Sequence, residues 1–316
     1  MGPFMVALLF PGQGSQSSGM GRALADASPA ARAVFEEADE ALGFGLSKLC
    51  FAGSEDELKR TEHTQPALLT VSVAAHRALE EAHGGAIPTG CLAGHSLGEW
   101  SALVVAGALA FADAVRLVRE RGRLMQAAVP EGQGAMLAAI GLDADTVRTV
   151  TADVARAERA PVAPANFNAP EQTVVSGAAS AMDALEVALT AAGASKVVRL
   201  PVSAPFHCPM MAPAAAGLEA ALAPVTVSAP SAPVYSNVEA TPNTRAERLK
   251  PLLVEQVTAP VRWTEIVRGI VGSGETLALE LGPGKVLMGL ARRIDRSLKV
   301  IPVGDPAGVD KALAAL

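Results

Sequence analysis

The segment Gly94-His95-Ser96-Leu97-Gly98 has the spacing G-x-S-x-G, with a short apolar stretch before it and a predicted helix after it. This pattern is typical of a nucleophile elbow, a tight strand-to-helix turn that exposes a serine hydroxyl. Glycines are expected around Ser96 because such a turn leaves no room for Cβ atoms. The first N–H groups of the helix, starting with that of Leu97, would face a tetrahedral oxyanion. Ordinary glycine-containing turns share these letters, so the assignment needs partners.

A serine nucleophile needs a base, and histidine suits this role because its pKa lies near neutrality. The chain has five histidines. His63, His76 and His83 lie in or beside polar helical segments, where we expect solvated side chains. His95 adjoins the serine. His207 remains, in a proline-bracketed loop after a predicted strand, where catalytic groups of α/β proteins commonly lie. A capping or core histidine is the alternative.

Arg121 is the one arginine of its predicted helix that lies on the apolar face. At 100° per residue, the others share a solvated stripe with Glu120: Arg116, Arg119 and Arg123. The i±3 and i±4 neighbours of Arg121 are apolar: Leu117, Val118, Leu124 and Met125. A buried guanidinium must find an anion or lose several kcal/mol of hydration. Either it forms a structural salt bridge, or it is a bidentate clamp for a substrate carboxylate.

The glycine-rich stretch 10–16 follows the first apolar run and matches neither of the two phosphate-loop templates. Ser17 replaces the third glycine of G-x-G-x-x-G, and Met20 stands where G-x-x-x-x-G-K requires lysine. The stretch therefore does not predict a nucleotide site. A glycine-rich strand end can still supply an N–H group to an oxyanion.

Alternating strands and helices place these residues in an α/β protein. Buried strands are predicted at 6–10, 91–93, 233–237 and 276–281, with helices at 30–42 and 66–82, which is typical of a parallel sheet. The middle follows the order β-α-β-β-α-β of a ferredoxin-like domain: 135–140, 143–155, 162–167, 173–175, 179–192 and 196–202. We predict a large α/β-hydrolase-like domain of residues 1–132 and 201–316, a small inserted domain of residues 133–200, and a cleft between them.

Composition excludes several classes of protein. The net charge of −6 and the absence of a long basic run argue against nucleic acid as a partner. The three cysteines show no C-x-x-C spacing, which favours reduced thiols and no metal site. No basic leader is evident, and no apolar segment reaches the ~20 residues of a membrane span. The sequence therefore predicts a soluble cytoplasmic protein.

Motifs along nearly the whole chain closely resemble those of malonyl-CoA:acyl carrier protein transacylases. They are Pro11-Gly12-Gln13-Gly14-Ser15-Gln16, Gly94-His95-Ser96-Leu97-Gly98-Glu99, Arg121-Gly122, Asn166-Phe167-Asn168, Phe206-His207, Gln256, Pro260-Val261-Arg262-Trp263 and Gly282-Pro283-Gly284-Lys285-Val286-Leu287. The resemblance implies malonyl transfer from coenzyme A to an acyl carrier protein, by a monomer that needs no cofactor beyond the coenzyme A thioester itself.

The resemblance also implies a role for each site residue. Ser96 and His207 would work as a dyad, because no Asp or Glu stands out as a third member. A backbone carbonyl near Gln256 would orient the histidine, and the N–H groups of Gln13 and Leu97 would hold the oxyanion. The carboxylate of the malonyl group would bind the arginine at position 121.

The identity of the acyl group follows from two positions. An aliphatic residue after the serine and Phe before the histidine accompany malonyl in related polyketide acyltransferases, so Leu97 and Phe206 both indicate malonyl. Some fatty-acid enzymes carry Ser instead of Phe, and a stand-alone polyketide acyltransferase therefore remains an alternative.

Other functions fit the sequence less well. An α/β-hydrolase-type thioesterase would need an acid between Ser96 and a late histidine, together with an HGGG-type loop, and neither is evident. Proofreading acyl hydrolases of this fold usually lack the arginine, and a silent docking module would not need the three reactive side chains. The basic cluster Arg292, Arg293, Arg296 and Lys299 is a candidate carrier-protein contact, although a solvated helix face explains it more simply.

Overall fold

The computed structural model describes residues 5–202 and 204–316. Within these residues the strands are β1 Val6–Phe10, β2 Thr89–Gly94, β3 Gly134–Ile140, β4 Val162–Ala169, β5 Gln172–Ala178, β6 Lys196–Arg199, β7 Val234–Tyr235, β8 Pro242–Asn243, β9 Leu277–Leu281 and β10 Lys299–Val303. The helices are α1 Arg22–Ala27, α2 Pro29–Leu42, α3 Leu46–Ala52, α4 Glu55–Lys59, α5 Thr61–His83, α6 Leu97–Val105, α7 Phe111–Ala127, α8 Ala144–Glu158, α9 Met182–Ala191, α10 Ala212–Leu222, α11 Ala246–Glu255, α12 Trp263–Gly272, α13 Val286–Ile294 and α14 Pro306–Leu313.

The larger sheet has the strand order β10-β9-β1-β2-β7-β8 and draws on both ends of the chain. Its pairs are parallel except for β7 with β8. β1 lies inside the sheet and is buried on both faces: Leu8 and Phe10 pack into one apolar core, and Ala7 and Leu9 into another. A continuous apolar run is what such a strand requires. The predicted α/β class with a mainly parallel sheet is confirmed.

The smaller sheet is formed by the middle of the chain, in the order β4-β5-β3-β6. All its pairs are antiparallel, and α8 and α9 pack on it around a separate apolar core that includes Leu137, Val147 and Leu185. The order β3-α8-β4-β5-α9-β6 is the split pattern of ferredoxin-like domains, as predicted. β6 ends at Arg199, earlier than expected; Pro201 follows closely and has no N–H to extend the ladder.

The two sheets are joined beside the predicted site. A parallel bridge links Asn166 on β4 to Val261. Phe167 N–H donates to the Val261 carbonyl at 2.9 Å, and Val261 N–H donates to the Ala165 carbonyl at 2.8 Å. The edge of the small sheet is thereby held against the segment that follows α11. That segment begins with Gln256, one of the predicted site residues.

Among the described residues, no helix combines the length and the apolar character that crossing a membrane requires.

Candidate active site

Ser96 lies in the turn between β2 and α6 and is the N-cap of that helix, with φ 52° and ψ −105°. A non-glycine residue in this region costs on the order of 1–3 kcal/mol and needs support from its surroundings. Two close approaches explain the glycines: a Cβ on Gly98 would lie 2.0 Å from the Phe10 carbonyl oxygen, and one on Gly94 would lie 1.9 Å from the Gly98 carbonyl carbon. The turn therefore has the geometry that the G-x-S-x-G pattern predicts.

His207 reaches Ser96 from the loop before α10. Its Nε2 is 2.8 Å from Ser96 Oγ, and its Nδ1 is 2.8 Å from the Gln256 backbone carbonyl oxygen. The carbonyl can only accept, so the imidazole proton lies on Nδ1 and the serine hydroxyl donates to Nε2. The imidazole thus presents its basic nitrogen to the serine.

The charge state of His207 is set by its surroundings. Burial, and next the positive charge of Arg121, lower the pKa of His207 to about 3, while the hydrogen bond to the Gln256 carbonyl opposes this shift. The side chain is only 4% exposed. It is therefore neutral at physiological pH and able to accept a proton.

Arg121 lies on the inner face of α7 and is 1% exposed, as its helical position predicts. Its guanidinium donates to uncharged oxygens: Gln65 Oε1 at 2.9 Å, Gln256 Oε1 at 2.9 Å and Ser96 Oγ at 3.2 Å. Its Nε has no hydrogen-bond partner among the residues that the structure describes. Burial lowers the pKa of Arg121 to about 10, which leaves it cationic. Because these bonds end on uncharged oxygens, the salt-bridge alternative loses support.

A cavity of about 130 Å³ opens in front of Ser96. Polar atoms of Ser96, His207 and Arg121 face it together with apolar side chains: Leu97, Met125, Met136, Leu200, Val202 and Phe206. Gln13, from the loop after β1, also lines it. Leu97 is the first residue of α6, so its N–H has no acceptor within the helix. The predicted oxyanion donors therefore border the cavity that holds the nucleophile.

Three polar residues that the sequence did not single out support this site. Glu99 Oε2 accepts from Gln256 Nε2 at 2.7 Å and from the Asn237 N–H at 3.0 Å. Asn237 Oδ1 accepts from the Ser96 N–H at 2.7 Å. Gln65 accepts from Arg121. Two signals were available in the sequence: Glu99 is an acid within the apolar segment 97–105, and Asn237 is a polar residue at the end of the strand predicted at 233–237. β7 stops at Tyr235, short of the predicted 237, and the Asn237 N–H donates to the carboxylate.

Burial raises the pKa of Glu99 to about 7. Hydrogen bonds from Asn237 and Gln256, and the charge of Arg121, act in the opposite direction. Glu99 does not bond to His207, whose Nδ1 donates to a carbonyl instead. The buried acid is therefore not the third member of a Ser-His-Asp type of triad.

The remaining histidines have other surroundings, although His95 also lines the cavity. His95 Nε2 is 2.8 Å from Asn168 Oδ1. His63 bonds to the Glu57 carbonyl oxygen, and His83 is exposed. The expectation of a solvated His76 was wrong: it is 6% exposed, and burial lowers its pKa to about 4. The reason is that α5 packs against several other helices, so even polar stretches of it are covered.

Other candidate features show no second reactive centre. Cys50, Cys91 and Cys208 are buried free thiols. Within residues 5–202 and 204–316, no group of three or more His, Cys, Asp or Glu side chains is placed to hold a metal ion. The basic cluster Arg292, Arg293, Arg296 and Lys299 is exposed, as both of its interpretations require.

Comparison with known proteins places this site in a family. The acyl transferase domain model matches residues 7–303. The malonyl CoA-acyl carrier protein transacylase of Salmonella typhimurium is 47% identical over 307 residues, 97% of this chain and 98% of the relative. The transacylase structure from Coxiella burnetii has a TM-score of 0.95 at 41% identity, covering 99% of this chain and 98% of that one.

A further solved structure includes a carrier protein. It shows the acyl-carrier protein of a type II PKS in complex with its malonyl-transacylase, and the similarity has a TM-score of 0.94 at 44% identity over 99% of this chain and 100% of that one. The similar proteins thus agree in name with the resemblance carried by the motifs, and their alignments extend over the elbow, the arginine and the histidine. The chain belongs to the acyl transferase family and, within it, to the malonyl-CoA:acyl carrier protein transacylases.

Proposed function

We propose that this protein moves a malonyl group from malonyl-CoA to the phosphopantetheine thiol of an acyl carrier protein, through an ester on Ser96. One observation carries the proposal: Arg121, a buried cation whose hydrogen bonds end on uncharged oxygens, donates to the hydroxyl that His207 can deprotonate. A cation there suits an acyl group that bears its own carboxylate.

In the first half-reaction, Ser96 Oγ attacks the thioester carbonyl while its proton passes to His207 Nε2. The C–S bond then breaks, and the coenzyme A sulfur leaves with the proton from the imidazolium. In the second half, the carrier thiol gives its proton to His207 and attacks the ester carbonyl. The C–O bond breaks, and the proton returns to Ser96. The hydrogen bond from Nδ1 to the Gln256 carbonyl supports both directions because it keeps the ring in one tautomer.

The developing oxyanion would be held by the N–H groups of Gln13 and Leu97. Both residues border the cavity, and the Leu97 N–H lies at a helix N-terminus, where partial positive charge favours an anion. All groups of this mechanism come from the protein, so we propose that it needs no resident cofactor, coenzyme A entering only as the substrate thioester. We further propose that the enzyme is a monomer and that it acts in the cytoplasm.

Arg121 would hold the malonyl carboxylate in both half-reactions. A guanidinium that bonds to neutral oxygens retains most of its attraction for an anion, and a charge-assisted pair is about twice as strong as a neutral hydrogen bond. Among the described residues that line the cavity, Arg121 is the only lysine or arginine, and many of the others are apolar, Phe206 among them. The site thus favours malonyl over acetyl.

The pathway has two candidates, fatty-acid and polyketide synthesis. Structural similarity does not separate them, because the TM-score is 0.94 to the malonyl-transacylase that binds a type II PKS carrier protein and 0.95 to the transacylase from Coxiella burnetii. Phe206 is the residue that keeps the polyketide alternative open. A thioesterase is less well supported, because Glu99, the buried acid of the supporting network, does not bond to His207.

Mass spectrometry of carrier proteins tests the proposal. A fatty-acid and a polyketide carrier protein, each bearing phosphopantetheine, are incubated with the enzyme and equal amounts of malonyl-, methylmalonyl- and acetyl-CoA. We expect the malonyl adduct to dominate on at least one carrier and to appear faster on the carrier of its own pathway. Release of free malonate without carrier loading would instead identify a thioesterase.

A further inference from the structure

Behind the dyad lies a layer of three buried polar side chains, Glu99, Asn237 and Gln256. They are 4%, 0% and 0% exposed, respectively. The proposed chemistry of the site needs only a backbone carbonyl from this layer. Burial of polar side chains costs free energy unless they are hydrogen-bonded, so we expect these three to form a fully bonded network. The partners in that network show which groups of the site it holds in place.

Gln256 connects this layer to the reacting groups. Its backbone carbonyl accepts from His207, and its Oε1 accepts from Arg121. Its Nε2 donates to Glu99 Oε2 at 2.7 Å and to the Ser96 carbonyl at 3.1 Å. A side-chain amide can rotate by half a turn and exchange its oxygen for its nitrogen. The carboxylate oxygen prevents this, because it holds the NH₂ group and so directs the amide oxygen to the guanidinium.

The same carboxylate oxygen also fixes the elbow. It accepts from the Asn237 N–H at 3.0 Å. The side chain of Asn237 then bonds on both sides of the nucleophile, accepting from the Ser96 N–H at 2.7 Å and donating to the Gly94 carbonyl at 2.7 Å. Ser96 has a positive φ, and these bonds hold it in that strained conformation.

We propose that Glu99 is a positioning residue of the transfer reaction: one oxygen of its carboxylate fixes Gln256 and Asn237, and through them the base, the nucleophile and the guanidinium. The proposal rests on the proposed function. Glu99 is not among the residues that line the cavity and does not bond to His207, and the amide of Gln256 separates it from Arg121. Because Gln256 lies between them, Glu99 and Arg121 form no direct ion pair, and the guanidinium stays available to a substrate carboxylate.

The proposal predicts a loss that differs from that caused by removing the clamp. Without Glu99, the alignment of Ser96 and His207 deteriorates for every acyl group. Glu99→Ala should therefore slow the maximal rate of Ser96 acylation by roughly 10- to 100-fold for acetyl-CoA, the size expected for charge-assisted hydrogen bonds, and by at least as much for malonyl-CoA. KM should change little. Glu99→Gln should restore most of the rate, since its amide oxygen can accept the same two bonds.

Single-turnover acylation of purified full-length variants is the measurement. Glu99→Ala leaves an empty cavity, so Glu99→Met, whose side chain fills that volume, is measured beside it. Glu280→Gln is the matched control: Glu280 is also a fully buried carboxylate that accepts two backbone N–H groups, those of Leu287 and Met288. It should alter thermal stability while leaving the acylation rate unchanged.

A double-mutant cycle separates positioning from general destabilisation. Because Glu99 acts partly through Gln256 and partly through Asn237, the variant Glu99→Ala with Gln256→Ala should be slower than Gln256→Ala, but clearly less slow than the product of the two single losses. Multiplied losses, or a folded Glu99→Ala or Glu99→Met that acylates at the wild-type rate, would overturn the positioning role and leave the proposed function intact. If the wild type itself forms no malonyl ester, the proposed function is what fails.

Discussion

The guanidinium Nη2 of Arg121 lies 3.2 Å from Ser96 Oγ, so a buried cation and a nucleophile share one cavity. The two residues come from different helices, α7 and the start of α6, and their side chains meet above the carboxyl end of the parallel sheet. At this distance, the group proposed to select the acyl chain lies beside the group proposed to react with it. In the proposed mechanism, a carboxylate bound to Arg121 would therefore lie next to the ester bond in both half-reactions.

Removing the guanidinium should affect malonyl and acetyl differently. Arg121→Ala should weaken malonyl acylation by ~1.5–3 kcal/mol in kcat/KM, because a charge-assisted hydrogen bond is lost, and should largely spare acetyl. The kinetics of both thioesters give the comparison. Arg123→Ala is the matched control: Arg123 is two residues further along α7, exposed and paired with Glu120. Equal losses for both acyl groups would contradict the clamp.

The pH dependence of acylation should also change in Arg121→Ala. The charge of Arg121 is the second-largest cause of the low pKa of His207. Without it, the imidazolium is less disfavoured, so the pKa of His207 rises from about 3 toward its ordinary value and the acid limb of acylation moves to higher pH. Acetyl-CoA acylation of Arg121→Ala and wild type, followed from acidic to neutral pH, measures the shift. An acid limb that stays in place or moves to lower pH would rule out this coupling.

Loss of the base should slow acylation without preventing binding. His207→Ala should reduce the single-turnover rate by roughly 10²–10⁴-fold, the usual contribution of a general base. His83→Ala, at an exposed position, should have no effect. If His207→Ala acylates as fast as the wild type, another group must accept the serine proton.

The elbow should not tolerate a methyl group on its second glycine. In Gly98→Ala the Cβ would lie 2.0 Å from the Phe10 carbonyl oxygen, which forces the turn and β1 apart. We expect a loss of ~1–3 kcal/mol or more in the free energy of unfolding, as for other overpacked sites. Gly289→Ala is the counterpart, since Gly289 lies on the exposed face of α13 and a Cβ there meets nothing within 4 Å. It should stabilise the protein by ~0.5–1 kcal/mol. Chemical denaturation measures the free energy of unfolding of both variants. If Gly98→Ala proved as stable as the wild type, the turn would be able to relax around the methyl group.

Much of the site could be predicted because its signals are local. The elbow is encoded by five consecutive residues, and the burial of Arg121 by the helical period. The inserted domain follows from the order of its strands and helices. These patterns survive in the structure because the sheet and helices form where the apolar periodicity places them.

The supporting network could not be predicted, for a physical reason. The bond between Asn237 N–H and Glu99 joins residues 138 positions apart, and no periodicity encodes which strand end will meet which helix. Burial of His76 was missed likewise, because the covering of α5 depends on the helices packed around it. Such positions become visible only when tertiary contacts are known.

The central claim is that Ser96 carries the malonyl group as an ester. The most direct test is to mix the enzyme with malonyl-CoA, quench it in acid, and determine the mass of the whole protein and of its peptides. We predict one malonyl adduct per chain, located on the peptide that contains Ser96, removed by a carrier protein bearing phosphopantetheine and absent from Ser96→Ala. An adduct that persists in Ser96→Ala, or that lies on another residue, would contradict the account.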